Sequence, residues 1–220
     1  MGRRLARLAA LVLATAAAPP AAAQRVSLAV STTEPVNPTG AREPRLQLRN
    51  LLQDAKWLEM LQSSLPIRLH YRVELWRVRS DWFDALERAY EWQYLIQAEP
   101  LTDEYSSTRF DARGASELPR RFSTLRDLDT ATVSATQQIR IRPTVPGQYY
   151  FVATVQIRTL TDQEMTELER FLQGEAVPRD ADPERRSAIG AAFRRWILRV
   201  GGLPRENLEA KTGRFMVTER

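Results

Sequence analysis

The sequence predicts a mainly β or α+β chain: an antiparallel sheet or β-sandwich, with a short N-terminal helix and a C-terminal helical pair. Three observations lead there. Residues 67–75, 88–98 and 149–157 alternate apolar and polar side chains with a period of two. Turn-forming stretches, not crossover helices, join the successive segments, and this favours antiparallel pairing. Helical spacing is confined to residues 46–65 and to the region beyond 160. The expected division is a signal peptide over 1–23, a β-rich domain over 24–160 and a helical appendage over 161–220 packed on it.

The elements follow in order. Arg3, Arg4 and Arg7 precede a short apolar run from Leu8 to Ala18, and Ala21-Ala22-Ala23 supply small residues for cleavage before Gln24. The run falls well short of the ~20 residues that span a bilayer, and Pro19-Pro20 interrupts it. Export with cleavage, to the periplasm or the medium, is therefore expected. Val26, Leu28 and Val30 mark a short strand, and 31–44 reads as a long loop rich in proline. Over 46–65, Leu51, Ala55, Leu58, Leu61 and Leu65 share a helical face, with Asp54 as cap and Pro66 as stop.

In 67–75, Ile67, Leu69, Tyr71, Val73 and Leu75 point one way, and Arg68, His70, Arg72 and Glu74 the other. Trp76 and Val78 break that phase, which predicts a bulge near 75–77 or burial of both faces there. Residues 88–98 place Tyr90, Trp92, Tyr94, Ile96 and Ala98 inward, so the two strands form a hairpin across SDWFD at 80–84. Pro100 ends the second strand, and a third is expected from Asp103 to Phe110. A helical turn at 123–129 would be capped by Ser123 or Thr124. Val133, Ala135, Ile139 and Ile141 suggest a further strand, and 149–157 is the strongest strand signal in the chain. Beyond it, Thr161 and Glu164 form a capping box for a helix over 162–173, and Ile189, Phe193, Trp196 and Val200 line a second helix over 184–200. The first carries mostly acids and the second mostly arginines, which predicts an antiparallel pair capping the sheet.

Composition excludes several chemistries. The 220 residues contain no cysteine and one histidine, so thiolate catalysis, disulfides and zinc fingers are ruled out. Loss of Arg3, Arg4 and Arg7 would lower the net charge from +5 to +2, which gives no case for nucleic-acid binding. No phosphate-cradling glycine loop, EF-hand spacing or G-x-S-x-G elbow is present.

Five stretches together carry a family resemblance: LPIRLHYRVELWR (65–77), DWFD (81–84), EPLTDEY (99–105), FSTLRDLD (122–129) and YYFVATVQIR (149–158). Over about residues 65–158 the chain resembles the domain-of-unknown-function family 4390 of exported bacterial proteins. The resemblance implies an exported, strand-rich domain with no established activity, cofactor or catalytic set. The tryptophan-rich ending of proteobacterial members is not evident here after residue 158.

No catalytic, cofactor or metal residues are expected. His70 lies among arginines on a strand's polar face, a poor setting for a neutral base. The carboxylate pairs Asp81/Asp84, Asp103/Glu104 and Asp127/Asp129 read as turn chemistry, with a carboxylate-dependent hydrolase the least favoured alternative. The interaction candidates are Trp82 and Phe83 in the hairpin connection, and Arg194, Arg195 and Trp196 in the basic helix. The reading is an exported noncatalytic envelope protein that binds or scaffolds another protein. The alternative is peripheral association with an anionic membrane surface through 184–200.

Overall fold

The computed structural model describes residues 25–80, 82–159 and 204–219. About half of these residues lie in antiparallel β-strands. Ten strands appear: β1 (Ser27–Thr32), β2 (Pro44–Arg49), β3 (Ile67–Arg77), β4 (Ala85–Glu99), β5 (Glu104–Asp111), β6 (Arg120–Phe122), β7 (Gln137–Gln138), β8 (Gly147–Arg158), β9 (Arg205–Lys211) and β10 (Phe215–Val217). Two α-helices, α1 (Ala55–Gln62) and α2 (Leu125–Leu128), are short.

The large sheet runs β10-β8-β3-β4-β5-β6, with β9 also paired to β8. β9 and β10 lie end to end along one edge of β8, Arg205–Lys211 against Arg158–Val152 and Phe215–Val217 against Tyr149–Gly147. Thr212 bridges the break. Its N–H donates to Phe151 O (3.0 Å), while its Oγ1 accepts from Phe151 N (2.9 Å). A small sheet, β1-β2-β7, forms the second layer.

Alternation along β3 builds the core. Ile67, Leu69, Tyr71, Val73 and Leu75 are buried, as are Phe151, Ala153, Val155 and Ile157 opposite them on β8. Leu46, Leu48, Trp57, Met60 and Leu61, from β2 and α1, belong to the same buried cluster. Tyr71 and Trp92 stack at its centre, with ring centroids 4.9 Å apart and planes within 4°. The Tyr71 hydroxyl and the Trp92 indole N–H are buried there without a hydrogen-bond partner. Desolvation, with Tyr94 adding to it, pushes the Tyr71 hydroxyl well above its ordinary pKa.

The predicted β3–β4 hairpin, its phase slip and the third strand are present. The register shifts after Leu75: Arg88 opposes Leu75 and Leu86 opposes Trp76, so Glu87 is the extra residue of a bulge in β4. Asp54 caps α1 by accepting from Lys56 N (3.0 Å), and Thr124 caps α2 by accepting from Asp127 N (3.1 Å).

The predicted helix over 46–65 is shorter than expected. Leu46 and Leu48 alternate with Gln47 and Arg49 in β2, paired to β1, and Asn50 turns the chain with a φ of 63°. A 3-10 turn, Leu51–Gln53, leads into α1. The strand expected over 133–141 shrinks to Gln137–Gln138. A π-turn, Asp129–Val133, takes its first part, closed by Ser134 N–H to Asp129 O (2.7 Å). Residues 205–217, which the sequence reading grouped with the helical appendage, are strands of the large sheet. Gly40 holds the end of this edge: with φ at 81°, its Cα faces Met216 O, which an added Cβ would meet at 2.9 Å. The expected signal peptide (1–23) and the helices expected over 162–173 and 184–200 lie outside the described residues.

Candidate functional site

The strand alternation that fills the core leaves the opposite face of the large sheet polar. On that face a chain of side chains runs along β3 and β4. His70 Nε2 stands 3.4 Å from Glu91 Oε2, and Glu91 also accepts from Arg72. Arg72 Nε donates to Glu74 Oε1 at 2.6 Å, and the Trp76 indole N–H donates to Glu74 Oε2 at 2.8 Å. The hydrogen bond to Glu74, opposed by desolvation and supported by the charges of Glu74 and Glu91, raises the Arg72 pKa further. His70 is thus part of a cross-strand polar network, flanked by Arg72 through their shared carboxylate.

At the end of this face lies the β3–β4 connection. Trp82 and Phe83 are 75% and 87% exposed, and Leu86 beside them is 45% exposed. The base of the loop is pinned. Tyr150, on β8 opposite Trp76, donates its hydroxyl to Asp84 Oδ2 at 2.8 Å, and the backbone N–H of Arg79 reaches Asp84 Oδ1 at 3.4 Å. Lys211 Nζ sits 3.6 Å from the centre of the Tyr150 ring. The Tyr150 hydrogen bond leads in holding the Asp84 carboxyl below its ordinary pKa, and the Arg79 N–H, Arg214 and Lys211 add to it. Burial, the bond to Asp84 and the Asp84 charge push Tyr150 up to about 12. An anionic acceptor and a neutral phenol is the arrangement that makes this bond strongest.

Two of the sequence candidates, Trp82 and Phe83, therefore stand side by side at an exposed tip. Arg194, Arg195 and Trp196 lie outside the described residues, as does Asp81. The remaining carboxylate pairs lie apart, Asp103/Glu104 at the start of β5 and Asp127/Asp129 in and just after α2. Asp103 has a φ of 54°, Glu104 pairs with Arg121 at 3.6 Å, Asp127 accepts from the Thr124 hydroxyl at 2.7 Å, and Asp129 accepts from Ser134 Oγ at 2.9 Å. Among the described residues no group of three or more histidines or carboxylates is placed to hold a metal ion, and no helix is long and apolar enough to cross a membrane.

Sequence reasoning missed the support beneath the tip. Tyr150, Lys211 and Arg214 lie more than 60 residues from Asp84 along the chain, and Tyr150 reads simply as the polar-side member of a strong strand. The clue was its position: a tyrosine on the outward phase of the best strand in the chain.

Compared with family models, with curated proteins and with solved structures, the chain matches none.

Proposed function

We propose that the chain is an exported, noncatalytic protein of the cell envelope that binds or scaffolds another protein, and that the β3–β4 tip is the contact. One observation carries this reading: Trp82 and Phe83 project, mostly exposed, from a loop whose base is fixed by Asp84 and Tyr150. Adjacent exposed aromatics suit the centre of a protein interface, where tryptophan dominates binding energy. A loop already held in place has less conformational entropy to lose on association. Export is supported by the arginine-led apolar leader with Ala21-Ala22-Ala23 before Gln24, and by the resemblance of residues 65–158 to the domain-of-unknown-function family 4390.

The test places a photoreactive phenylalanine analogue at position 83 in the full-length precursor, expressed in a Gram-negative host, with Leu118 as an equally exposed control site. A discrete envelope adduct from position 83, lost on Trp82→Ser and absent from position 118, is the expected result. Equal capture at both positions, or precursor left intact in the cytosol, overturns the proposal.

A second reading is peripheral attachment to anionic membrane through 184–200, favoured by Trp196 beside Arg194 and Arg195 in sequence. Co-sedimentation of the mature chain with phosphatidylglycerol vesicles separates the two readings. Pelleting that Arg194→Glu with Arg195→Glu abolishes supports the membrane; pelleting that is absent, or unchanged by the swap, removes it.

A further inference from the structure

The two sheets leave a slot between them. β1 is the outer strand of the small sheet, and it lies against β9 without pairing to it. A groove of about 700 Å³ opens there, lined by Val30 and Thr32 on one side and by the β9–β10 break, including Lys211, Arg214 and Phe215, on the other. Arg42 adds a third cation. No carboxylate lines the groove among the described residues.

Backbone parity fixes what β1 offers to this slot. Thr33 N–H donates to Glu43 O at 2.8 Å, so the odd-numbered residues of β1 turn their backbone groups toward β2. Thr32 opposes Pro44, which has no N–H to give, as that parity requires. Direction alternates residue by residue along an antiparallel strand. The N–H and C=O of Leu28, Val30 and Thr32 therefore point away from β2, and no strand among the described residues pairs with them. The Leu28 and Val30 side chains pack toward the core, so the edge is half-apolar. Natural proteins usually blunt such edges with charge, proline or a cover. Here the cations stand around the edge, not on it.

We propose that this slot is a peptide-binding site that takes an extended, acidic segment of another protein, added to β1 as a further strand. Main-chain hydrogen bonds to Val30 and Thr32 would supply affinity, and Arg42 and Arg214 would select acidic side chains. Trp82 and Phe83 do not line the slot, which shares only Lys211 and Arg214 with the support of the tip.

The experiment uses the full mature chain and three probes: the blocked peptide EVEVEVE, its lysine counterpart KVKVKVK, and tripolyphosphate. Amide hydrogen exchange is followed by NMR, with fluorescence titration of a labelled peptide. The expected result is saturable binding of the acidic peptide alone, with exchange at Val30 and Thr32 slowed at least tenfold. Arg42→Glu with Arg214→Glu should weaken binding at least tenfold, and the corresponding lysine pair should restore it, which separates lost charge from lost fold. Binding that weakens steeply with salt is also expected. No saturable binding, or binding that leaves Val30 and Thr32 exchange unchanged, overturns the proposal. So does full displacement by tripolyphosphate with the same exchange pattern, which would make the groove a simple anion site. Concentration-dependent dimers protecting the same amides without peptide would assign the edge to a second copy of the chain, and would likewise overturn it.

Discussion

The two faces of the strands β3, β4 and β8 are made from alternate residues of one sequence, yet they solve different problems. The inner face stacks Tyr71 on Trp92 and closes over them with leucine, valine and Trp57. The outer face lays out His70, Arg72, Glu74, Trp76 and Glu91 as a row of ion pairs and hydrogen bonds and ends in an aromatic tip. Stability concentrates on the first and accessible chemistry on the second. Partly exposed pairs are worth little each, so the outer face is free to vary without unfolding the inner one.

That contrast is sharpest under substitution. Trp92→Ala removes the largest buried ring beside Tyr71 and should cost about 3–5 kcal/mol, read by urea unfolding of the mature chain. A loss under 1 kcal/mol would mean that the stack is not central to the core. Tyr71→Phe tests the same pair from the opposite direction. It deletes a buried hydroxyl that has no partner, and should be neutral or stabilising by about 1 kcal/mol. A clear destabilisation would point to a hydrogen bond through ordered water. On the outer face, Trp82→Ser should leave stability within about 0.5 kcal/mol of the parent while abolishing the crosslink from the photoreactive residue at position 83.

The smallest effect concerns acid. Asp84 has its carboxyl pKa lowered in the folded chain, first by Tyr150, so its contribution is complete above the ordinary carboxylate range. It is lost as pH falls through the folded value. Tyr150→Phe should flatten that acid limb by lowering stability slightly at pH 7 while leaving it unchanged well below the carboxylate range, and should speed protease cleavage in the 79–83 loop. An unaltered acid limb would show that the hydrogen bond does not persist in solution.

Legibility in the sequence tracked the same division. β3 and β8 could be read because Ile67–Leu75 and Phe151–Ile157 bury every second residue. β4 could be read from the alternation in its sequence, although only Trp92 and Ile96 of that strand are buried and Tyr90, expected inward, is exposed. β2 could not, because Leu46, Leu48, Leu51 and Leu52 satisfy strand and helix spacing together until Asn50 separates them. β9 escaped because its inward side chains are Glu206, Leu208 and Ala210, a weak apolar signal. Glu206 earns its place only through Lys56 and Trp57, which donate to it at 3.0 and 3.2 Å from α1, about 150 residues away. The aromatic tip was visible as Trp82-Phe83, but its anchor and the groove beside β1 arise from contacts remote in sequence.

The bulge in β4 separates what the tip is from where it aims. Glu87 is an additional link in one rail of a two-rail ladder, and such a link bends and over-twists the ladder locally. Its carboxylate pairs with Arg77 at 2.8 Å. Excising this one residue would straighten the hairpin and swing Trp82 and Phe83 to a new bearing while leaving both aromatics, Asp84 and the opposition of Leu86 to Trp76 intact. A recogniser that needs the rings alone would tolerate the cut; one that needs their heading would not.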